Sequence, residues 1–214
     1  QENDSGKHIK LNYELITKSE DLIKWIKKCK SRGVFAVDTE TTSLDPLKAK
    51  LVGISISTDS GDACYIPLRH RPKNIELDLT QEQTKNKEIN QLNFKDVISS
   101  LKDLFQDKSV LKVGHNIKYD MLVLLQPENG GILLDPVEDT MCLSYVLNAS
   151  RNNHKLDSLV FEYFNHENIK YADLCGKGAK QIGFDEVHPE EAKKYASEDA
   201  DFTLRLHKLL KKQI

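Results

Sequence analysis

The sequence predicts an α/β fold with a mixed central sheet of about five strands flanked by α-helices. Short apolar runs rich in β-branched residues, which are typical of buried strands, alternate along the chain with longer segments of helical periodicity. The chain has 214 residues, of which 39% are hydrophobic and 30% charged, enough to bury one core. We therefore expect residues 10–214 to form a single domain after a polar lead, residues 1–9, which we expect to be flexible.

The first half of the chain contains four predicted strands and one predicted helix. A strand at residues 13–17 precedes a helix at residues 19–31, which begins at Ser-Glu-Asp and is ended by Gly33. Three further strands follow, at residues 34–39, 51–57 and 63–67. Because a turn at Asp45-Pro46 and a hairpin turn at Ser60-Gly61-Asp62 separate them, we expect these three strands to pair in antiparallel succession.

The second half contains one more predicted strand and is otherwise mostly helical. Residues 69–92 are polar and lack periodicity, which predicts a surface excursion and not a domain boundary. We expect a helix at residues 94–105, a short strand at residues 110–113 and a helix opened near Asn116 after a turn at Gly114. Further helices are predicted at residues 138–147, 155–164 and 189–211, with a glycine-containing loop at residues 174–184 between the last two.

The composition argues against several classes of protein. The formal net charge of -2 is unlike a broad duplex-binding surface, although a pocket could hold a few nucleotides through metal ions. The four cysteines include no C-x-x-C pair, which argues against structural zinc and suits reduced thiols in a cytosol. No run approaches the roughly 20 apolar residues of a membrane helix and no signal peptide is recognised, so we expect a cytoplasmic protein without a membrane partner.

Two carboxylates stand at the end of the predicted strand at residues 34–39. Asp38 and Glu40 are two positions apart, so they point to the same face of that strand. Two acids at the rim of an apolar sheet repel each other, and a divalent cation would neutralise them. A D-x-E pattern occurs by chance about once in a chain of this length, so a solvated strand end is the alternative.

Two further pairs of residues carry potential site chemistry. The pattern N-x-x-x-D occurs three times, but only Asn116 with Asp120 follows a buried strand and opens a helix. That placement brings Asp120 to the end of the sheet. Tyr195 and Asp199 are four positions apart on the terminal helix and therefore share one face. Each pair alone is more often structural than functional, so only the patterns taken together can indicate a functional site.

Together and in this order, the three patterns resemble the motifs of the four-carboxylate (DEDD) 3′→5′ exonucleases, which have a ribonuclease H-like fold. The finer similarity is to the proofreading domain of bacterial DNA polymerase I, and it extends over residues 16–209. A histidine subclass would place histidine five residues before Asp199, where this chain has Lys194, so Tyr195 implies the tyrosine subclass. The segments that carry the similarity are VDTETTSLDPLKAKLVGISIS, VGHNIKYDM, DTMCLSYVLN, HKLDSL and KYASEDADFTLRLH.

The resemblance implies a catalytic site with two divalent cations, Mg²⁺ or Mn²⁺. Asp38, Glu40 and Asp199 would hold one cation, and Asp38 with Asp120 would hold the other. The cations would activate the attacking water and stabilise the leaving 3′ oxygen. Tyr195 would orient that water, because a phenol with a pKa of about 10 is a poor general base at neutral pH. The implied catalytic residues are these four carboxylates and this tyrosine.

The same resemblance implies a set of substrate-binding residues. Leu44 would wedge against the terminal base, with an ordinary core position as the alternative reading. Phe184 would stack beneath the penultimate base, and Asn116 would meet sugar or phosphate. His115 stands where the family commonly has glutamine, and Asn153 stands where we expect arginine, so a phosphate contact departs from the family pattern. The complete set of implied substrate-binding residues is Thr39, Leu44, His115, Asn116 and Phe184.

We therefore expect a 3′→5′ exodeoxyribonuclease that releases nucleoside 5′-monophosphates from the 3′ ends of single-stranded DNA. It would be the proofreading domain of a family A DNA polymerase, linked covalently to a polymerase domain, monomeric and located in the bacterial cytosol. A ribonuclease D-like exoribonuclease is the first alternative, because contacts to a 2′-hydroxyl cannot be read from the sequence. A catalytically silent nucleic-acid-binding scaffold is the second, although all four acids and the tyrosine are present.

Overall fold

A computed structural model describes residues 10–72 and 89–214 and confirms the predicted α/β class. The six strands within these two ranges are, in chain order, β1 (Asn12–Leu15), β2 (Val34–Thr41), β3 (Leu51–Asp59), β4 (Asp62–Pro67), β5 (Leu111–Gly114) and β6 (Val137–Asp139). The α-helices of these residues are α1 (Ser19–Arg32), α2 (Phe94–Phe105), α3 (Lys118–Leu125), α4 (Thr140–Leu147), α5 (Leu156–Phe164), α6 (Tyr171–Cys175) and α7 (Pro189–Leu210). None of these helices is long and apolar enough to cross a membrane.

All six strands belong to one mixed sheet, in the order β1, β4, β3, β2, β5, β6. The pairs β2–β3 and β3–β4 are antiparallel, as the short turns predicted. The pairs β1–β4, β2–β5 and β5–β6 are parallel. Strand β2 therefore lies inside the sheet, with β5 beside its first residues and β3 beside its acidic end.

Two short elements differ from the sequence predictions. The sheet has six strands and not about five, because Val137–Asp139 forms β6 where residues 138–147 were predicted as helix. Helix α4 begins only at Thr140, since the Asp139 carboxylate accepts the Met141 N–H at 2.8 Å and caps the helix there. Helix α6 has only five residues and was not predicted. Elements this short contain too few residues for a periodic pattern to be recognised.

Two expectations concern residues that the structure does not describe. The flexible lead, residues 1–9, lies outside the described part of the chain, and so does the larger part of the polar excursion, residues 73–88. The near end of the excursion is held against the rest of the fold: the Arg71 N–H donates to the Asp185 carbonyl at 2.8 Å, and the Arg71 guanidinium pairs with the carboxylates of Asp185 and Glu186.

Alternate side chains of β2 point to opposite faces of the sheet. Phe35 and Val37 belong to the main hydrophobic core, which includes residues of α1 and α2, and Phe35 stacks on Phe105 with ring centroids 6.1 Å apart. Asp38 and Glu40 point to the other face, which α7 covers by packing on β2, β3 and β4. The predicted alternation of β2 therefore separates the apolar core from the acidic face.

Gly53 lies opposite Glu40 on β3, and the Tyr65 ring packs directly on it. A Cβ at position 53 would lie 2.0 Å from the Tyr65 hydroxyl oxygen. That hydroxyl donates to His70 Nε2 at 2.7 Å, because His70 Nδ1 donates to the Val187 carbonyl at 2.8 Å and leaves only Nε2 to accept. Burial lowers the pKa of His70 to about 4, so the ring is neutral at pH 7. The close packing of this buried tyrosine leaves no space for any residue but glycine.

We expect Gly53→Ala to lower the free energy of unfolding by about 1–3 kcal/mol, because the added methyl group must displace the Tyr65 ring. Urea unfolding of the purified chain measures this change. The double variant with Tyr65→Leu removes the ring that the methyl group meets, so its loss should be smaller than the sum of the two single losses. Additive losses would contradict the contact.

Candidate active site

Strand β2 carries the first two carboxylates into the space between the sheet and α7. Asp38 pairs with Ser55 and Glu40 pairs with Gly53 across the antiparallel β2–β3 ladder. Asp38 is partly buried, whereas only 7% of the Glu40 surface is exposed. The sequence prediction that both side chains point to one face is confirmed by this alternation.

Asp120 reaches β2 from the first turn of α3. Between β5 and α3, Asn116 adopts a left-handed conformation with φ of 59°, which asparagine tolerates better than most residues. The Asp139 carboxylate accepts the Asn116 and Ile117 N–H groups at 2.9 and 3.1 Å and fixes this turn. Sequence analysis did not single out Asp139, although it begins one of the family-like segments. Asp120 Oδ1 then accepts the Thr39 N–H at 2.9 Å and the Thr39 hydroxyl at 2.5 Å.

Helix α7 supplies the fourth carboxylate and the predicted tyrosine. Tyr195 and Asp199 are separated by one helical turn and are both partly buried. Asp199 Oδ1 accepts a hydrogen bond from Asn168 Nδ2 at 3.2 Å. The Tyr195 ring packs against Tyr171 and Phe184, with centroid distances of 6.4 and 6.0 Å. Four carboxylates from three separate segments therefore converge between the sheet and α7.

Burial raises the pKa of every carboxyl group in this cluster, and repulsion by the other members raises the pKa of Asp38 and Glu40 further. Burial raises the pKa of Asp38 well above its usual range, and the charges of Asp120, Glu40 and Asp199 raise it further. Burial, followed by the charges of Asp199 and Asp120, does the same to Glu40. Burial raises the pKa of Asp120 to about 7 against the lowering effect of the Thr39 hydrogen bonds, and burial raises that of Asp199 to about 7. Full ionisation therefore needs a compensating positive charge.

The chemistry of this donor set suits a hard divalent cation. Carboxylate oxygens are the preferred protein ligands of Mg²⁺ and Mn²⁺. Glu40 Oε1 is buried and has no hydrogen-bond partner among the described residues, so it is available to a cation. Within residues 10–72 and 89–214, no group of three or more His, Cys, Asp or Glu side chains is already arranged as a metal site. The residues fit the cation by type and burial, and binding requires the carboxylates to turn toward it.

The predicted substrate-binding residues differ in their accessibility. Leu44 is 96% exposed, which excludes the alternative that it is an ordinary core residue. Asn116 is also exposed, at the start of α3. Thr39 is only 6% exposed and its hydroxyl is bound to Asp120. Their contacts with a nucleic acid remain predictions.

His115 is partly buried and neutral. Its Nδ1 lies 2.8 Å from the Thr140 hydroxyl oxygen. Thr140 in turn donates to the Gly114 carbonyl at 3.1 Å, so His115 Nδ1 carries the proton. Burial lowers the pKa of His115 to about 4, and its buried Nε2 has no hydrogen-bond partner among the described residues. In this arrangement His115 could meet a phosphate only as a neutral ring.

Of the two neighbouring aromatic residues Tyr171 and Phe184, only Tyr171 has a ring that is accessible from outside. Phe184 is 1% exposed and lies beneath Tyr171, with centroids 6.2 Å apart and an interplanar angle of 23°. Tyr171 is 40% exposed. The Tyr171 ring packs edge-on against Tyr195, with centroids 6.4 Å apart, which places it beside the residues predicted for the site. Sequence analysis missed Tyr171 because it opens α6, the short helix that was not predicted.

The chain matches known proteins over nearly its whole length. Residues 13–214 match a protein family described as 3′-5′ exonuclease, of the DNA polymerase A type. DNA polymerase I of Pseudomonas aeruginosa is 38% identical over 200 residues, which are 94% of this chain and 20% of that protein. DNA polymerase I of Rhizobium leguminosarum is 41% identical over 202 residues, 90% of this chain and 19% of that protein. The chain thus spans about a fifth of the length of these relatives.

Solved structures share the fold at lower identity. Escherichia coli RNase D, described as an exoribonuclease involved in structured RNA processing, superposes with a TM-score of 0.67 at 20% identity, covering 95% of this chain and 45% of RNase D. Brucella melitensis NrnC superposes with a TM-score of 0.62 at 19% identity, covering 95% of this chain and 81% of NrnC. The predicted ribonuclease H-like fold is confirmed by these likenesses. The sequence matches go further, and the chain belongs to the 3′-5′ exonuclease family of DNA polymerase A proteins.

Proposed function

We propose that this domain removes nucleoside 5′-monophosphates one at a time from the 3′ end of single-stranded DNA, with two bound divalent cations, Mg²⁺ or Mn²⁺. One observation carries the proposal. In a chain of this exonuclease family, the carboxylates of Asp38, Glu40, Asp120 and Asp199 converge in a space where burial raises the pKa of each one. Stabilising their charges requires cations, and cations at carboxylates are suited to phosphodiester hydrolysis.

The four carboxylates would hold the cations, and Tyr195 would orient the attacking water. Bound cations would supply an activated water and stabilise negative charge on the scissile phosphate. Burial, followed by the charge of Asp199, raises the pKa of Tyr195 above that of a free phenol. Its hydroxyl therefore keeps its proton at neutral pH and acts as a hydrogen-bond donor and acceptor, not as a general base.

The exposed residues around the carboxylates favour an unpaired nucleic acid strand. Tyr171 offers a ring on which a base could stack, worth roughly 1–3 kcal/mol, and bases paired inside a duplex cannot reach it. Leu44 is a nearly fully exposed apolar side chain on the loop after β2, as a wedge against a terminal base would require. Asn116 is exposed at the start of α3, where its side chain could meet a sugar or phosphate.

The similarity to DNA polymerase I extends the proposal to the cellular role. The relatives are about five times longer than this chain, and their name describes a polymerase. We propose that residues 10–214 fold as one exonuclease domain, monomeric in the bacterial cytosol and covalently linked to a polymerase domain whose errors it removes. RNA as a substrate is the competing outcome, because the fold is shared with RNase D.

Asp38→Ala should lower turnover by roughly 100-fold or more, because it removes a cation ligand from the centre of the cluster. The measurement is a time course on 5′-labelled single-stranded DNA and RNA of one sequence, each with Mg²⁺, Mn²⁺ or EDTA. Asp103→Ala, an exposed acid on α2, is the matched control and should behave as wild type. We expect metal-dependent shortening of DNA from the 3′ end. Faster shortening of RNA would overturn the choice of substrate, and an active Asp38→Ala would overturn the site.

Tyr195→Phe should lower kcat by roughly 100-fold and leave Mn²⁺ affinity unchanged, because the ring packing remains and only the hydroxyl is lost. Single-turnover kinetics measure the rate, and calorimetric titration measures the affinity. If Mn²⁺ affinity fell as much as the rate, Tyr195 would be supporting the cations and not the water.

Without metal, the raised pKa values should make the protein less stable as the pH rises. Asp120 and Asp199 bind protons more tightly when folded, with pKa values of about 7, than when unfolded, with values of about 4. Between about pH 4 and pH 7 the folded state therefore holds more protons, and the contribution of these groups to stability falls as pH rises. Asp199→Asn removes one such charge, so in EDTA it should melt at a higher temperature than wild type at pH 8 and at a similar temperature at pH 4.

Thermal unfolding in EDTA at both pH values measures this difference, and Asp103→Asn is the control for a charge change at an exposed site. Adding Mg²⁺ at pH 8 should stabilise the wild type more than Asp199→Asn. A variant that melts below wild type at pH 8 in EDTA would contradict the charge crowding.

A further inference from the structure

A short segment, residues 165–170, crosses α7 beside Asp199. It connects α5 to α6 and starts at Asn165, which ends α5 in a left-handed conformation with φ of 50°. The segment ends at Lys170, immediately before Tyr171, the exposed aromatic ring near the carboxylates. Its position is therefore tied both to the fourth carboxylate and to the ring proposed to stack on a base.

Glu198 fixes this segment to α7 through both oxygens of its carboxylate. Glu198 Oε1 accepts from His166 Nε2 at 2.8 Å, and Glu198 Oε2 accepts the Ile169 N–H at 2.7 Å. The His166 ring also stacks on Phe202 of α7, with centroids 4.4 Å apart and an interplanar angle of 23°. Glu198 is 8% exposed and neighbours Asp199 in the chain, but its oxygens are already used by the segment.

Between these two contacts, Asn168 is brought onto the Asp199 carboxylate. Asn168 Nδ2 donates to Asp199 Oδ1 at 3.2 Å. The amide orientation is determined by charge, since the Asn168 carbonyl oxygen would repel the carboxylate. Asn168 Oδ1 is buried without a hydrogen-bond partner among the described residues. Leaving this oxygen unpaired costs free energy as long as Nδ2 is bonded to Asp199.

We propose that Asn168 is a positioning residue of the exonuclease site, which holds the Asp199 carboxylate in one orientation and is itself held by Glu198. The inference rests on the proposed function. By donating to Oδ1 of Asp199, Asn168 limits the rotation of that carboxylate. Groups that hydrogen-bond to metal-ligating side chains in this way set the direction of the ligand.

Two substitutions separate this role from simple packing. Asn168→Ala removes the donor and the volume of the side chain. Asn168→Asp keeps nearly the same shape but removes the donor and places a second negative charge against Asp199. Positioning by a donated hydrogen bond predicts that both variants are impaired and that the aspartate is worse. Packing alone predicts that the alanine is impaired and the aspartate is close to wild type.

Three measurements on the intact chain test the inference: calorimetric titration with Mn²⁺, exonuclease kcat and KM on single-stranded DNA, and thermal unfolding. For Asn168→Ala we expect Mn²⁺ affinity and kcat to fall by roughly 10- to 100-fold, with KM unchanged. Mn²⁺ affinity and kcat should both fall further in Asn168→Asp. Glu198→Gln keeps only one acceptor oxygen for the two donors, His166 Nε2 and the Ile169 N–H, so its Mn²⁺ affinity and kcat should also fall, but by less. Asn148→Ala, an exposed asparagine that bonds Ser150, is the control and should match wild type.

Wild-type affinity and kcat in Asn168→Asp would overturn the inference, and so would a raised KM with unchanged kcat, since that pattern marks a substrate contact. The proposed function can fail separately. A wild-type protein that degrades neither DNA nor RNA would contradict the function, and the Mn²⁺ titrations would still report whether Asn168 holds Asp199. An active wild type with an unimpaired Asn168→Asp would contradict only the positioning role.

Discussion

Four carboxylates share one buried space in this domain, and their mutual repulsion is the constraint on which the site depends. Glu40 and Asp120 are buried and Asp38 and Asp199 are partly buried, and the charges of the neighbouring acids add to the cost of ionising Asp38 and Glu40. A protein of marginal stability keeps such a cluster only where the rest of the fold holds it in place. The charges need cations or protons, and cations bound at this position would supply the chemistry of the proposed phosphodiester hydrolysis.

The four acids lie on elements that are stabilised by contacts outside the acidic cluster. Strand β2 buries Phe35 and Val37 in the main core, so its alternate residues have to face α7. Asp120 follows a turn whose N–H groups donate to the carboxylate of Asp139, the residue just before α4. Asp199 lies on α7, whose apolar residues pack on the sheet. The precision of the site therefore comes from hydrogen bonds between these elements, of which the Thr39–Asp120 and Asn168–Asp199 contacts are the direct ones.

Local patterns predicted the parts of the site that depend on local geometry. Alternation on β2 and the four-residue spacing on α7 placed the acids on common faces, because strand and helix periods determine direction. The contacts of Asn168, Glu198 and Tyr171 were not predictable, since they join segments about 30 residues apart or arise from a five-residue helix. The family resemblance implies Phe184 as the stacking ring, and its burial beneath Tyr171 could be known only from the packing. The sixth strand was missed because three residues show no period.

The central claim is that the four carboxylates form one site for two cations, and anomalous diffraction from crystals soaked in Mn²⁺ tests it most directly. We predict two manganese peaks, one touching Asp38, Glu40 and Asp199 and the other touching Asp38 and Asp120, with Asn168 still bonded to Asp199. Manganese found only at other acids, with these four carboxylates unchanged and free of metal at saturating Mn²⁺, would contradict it.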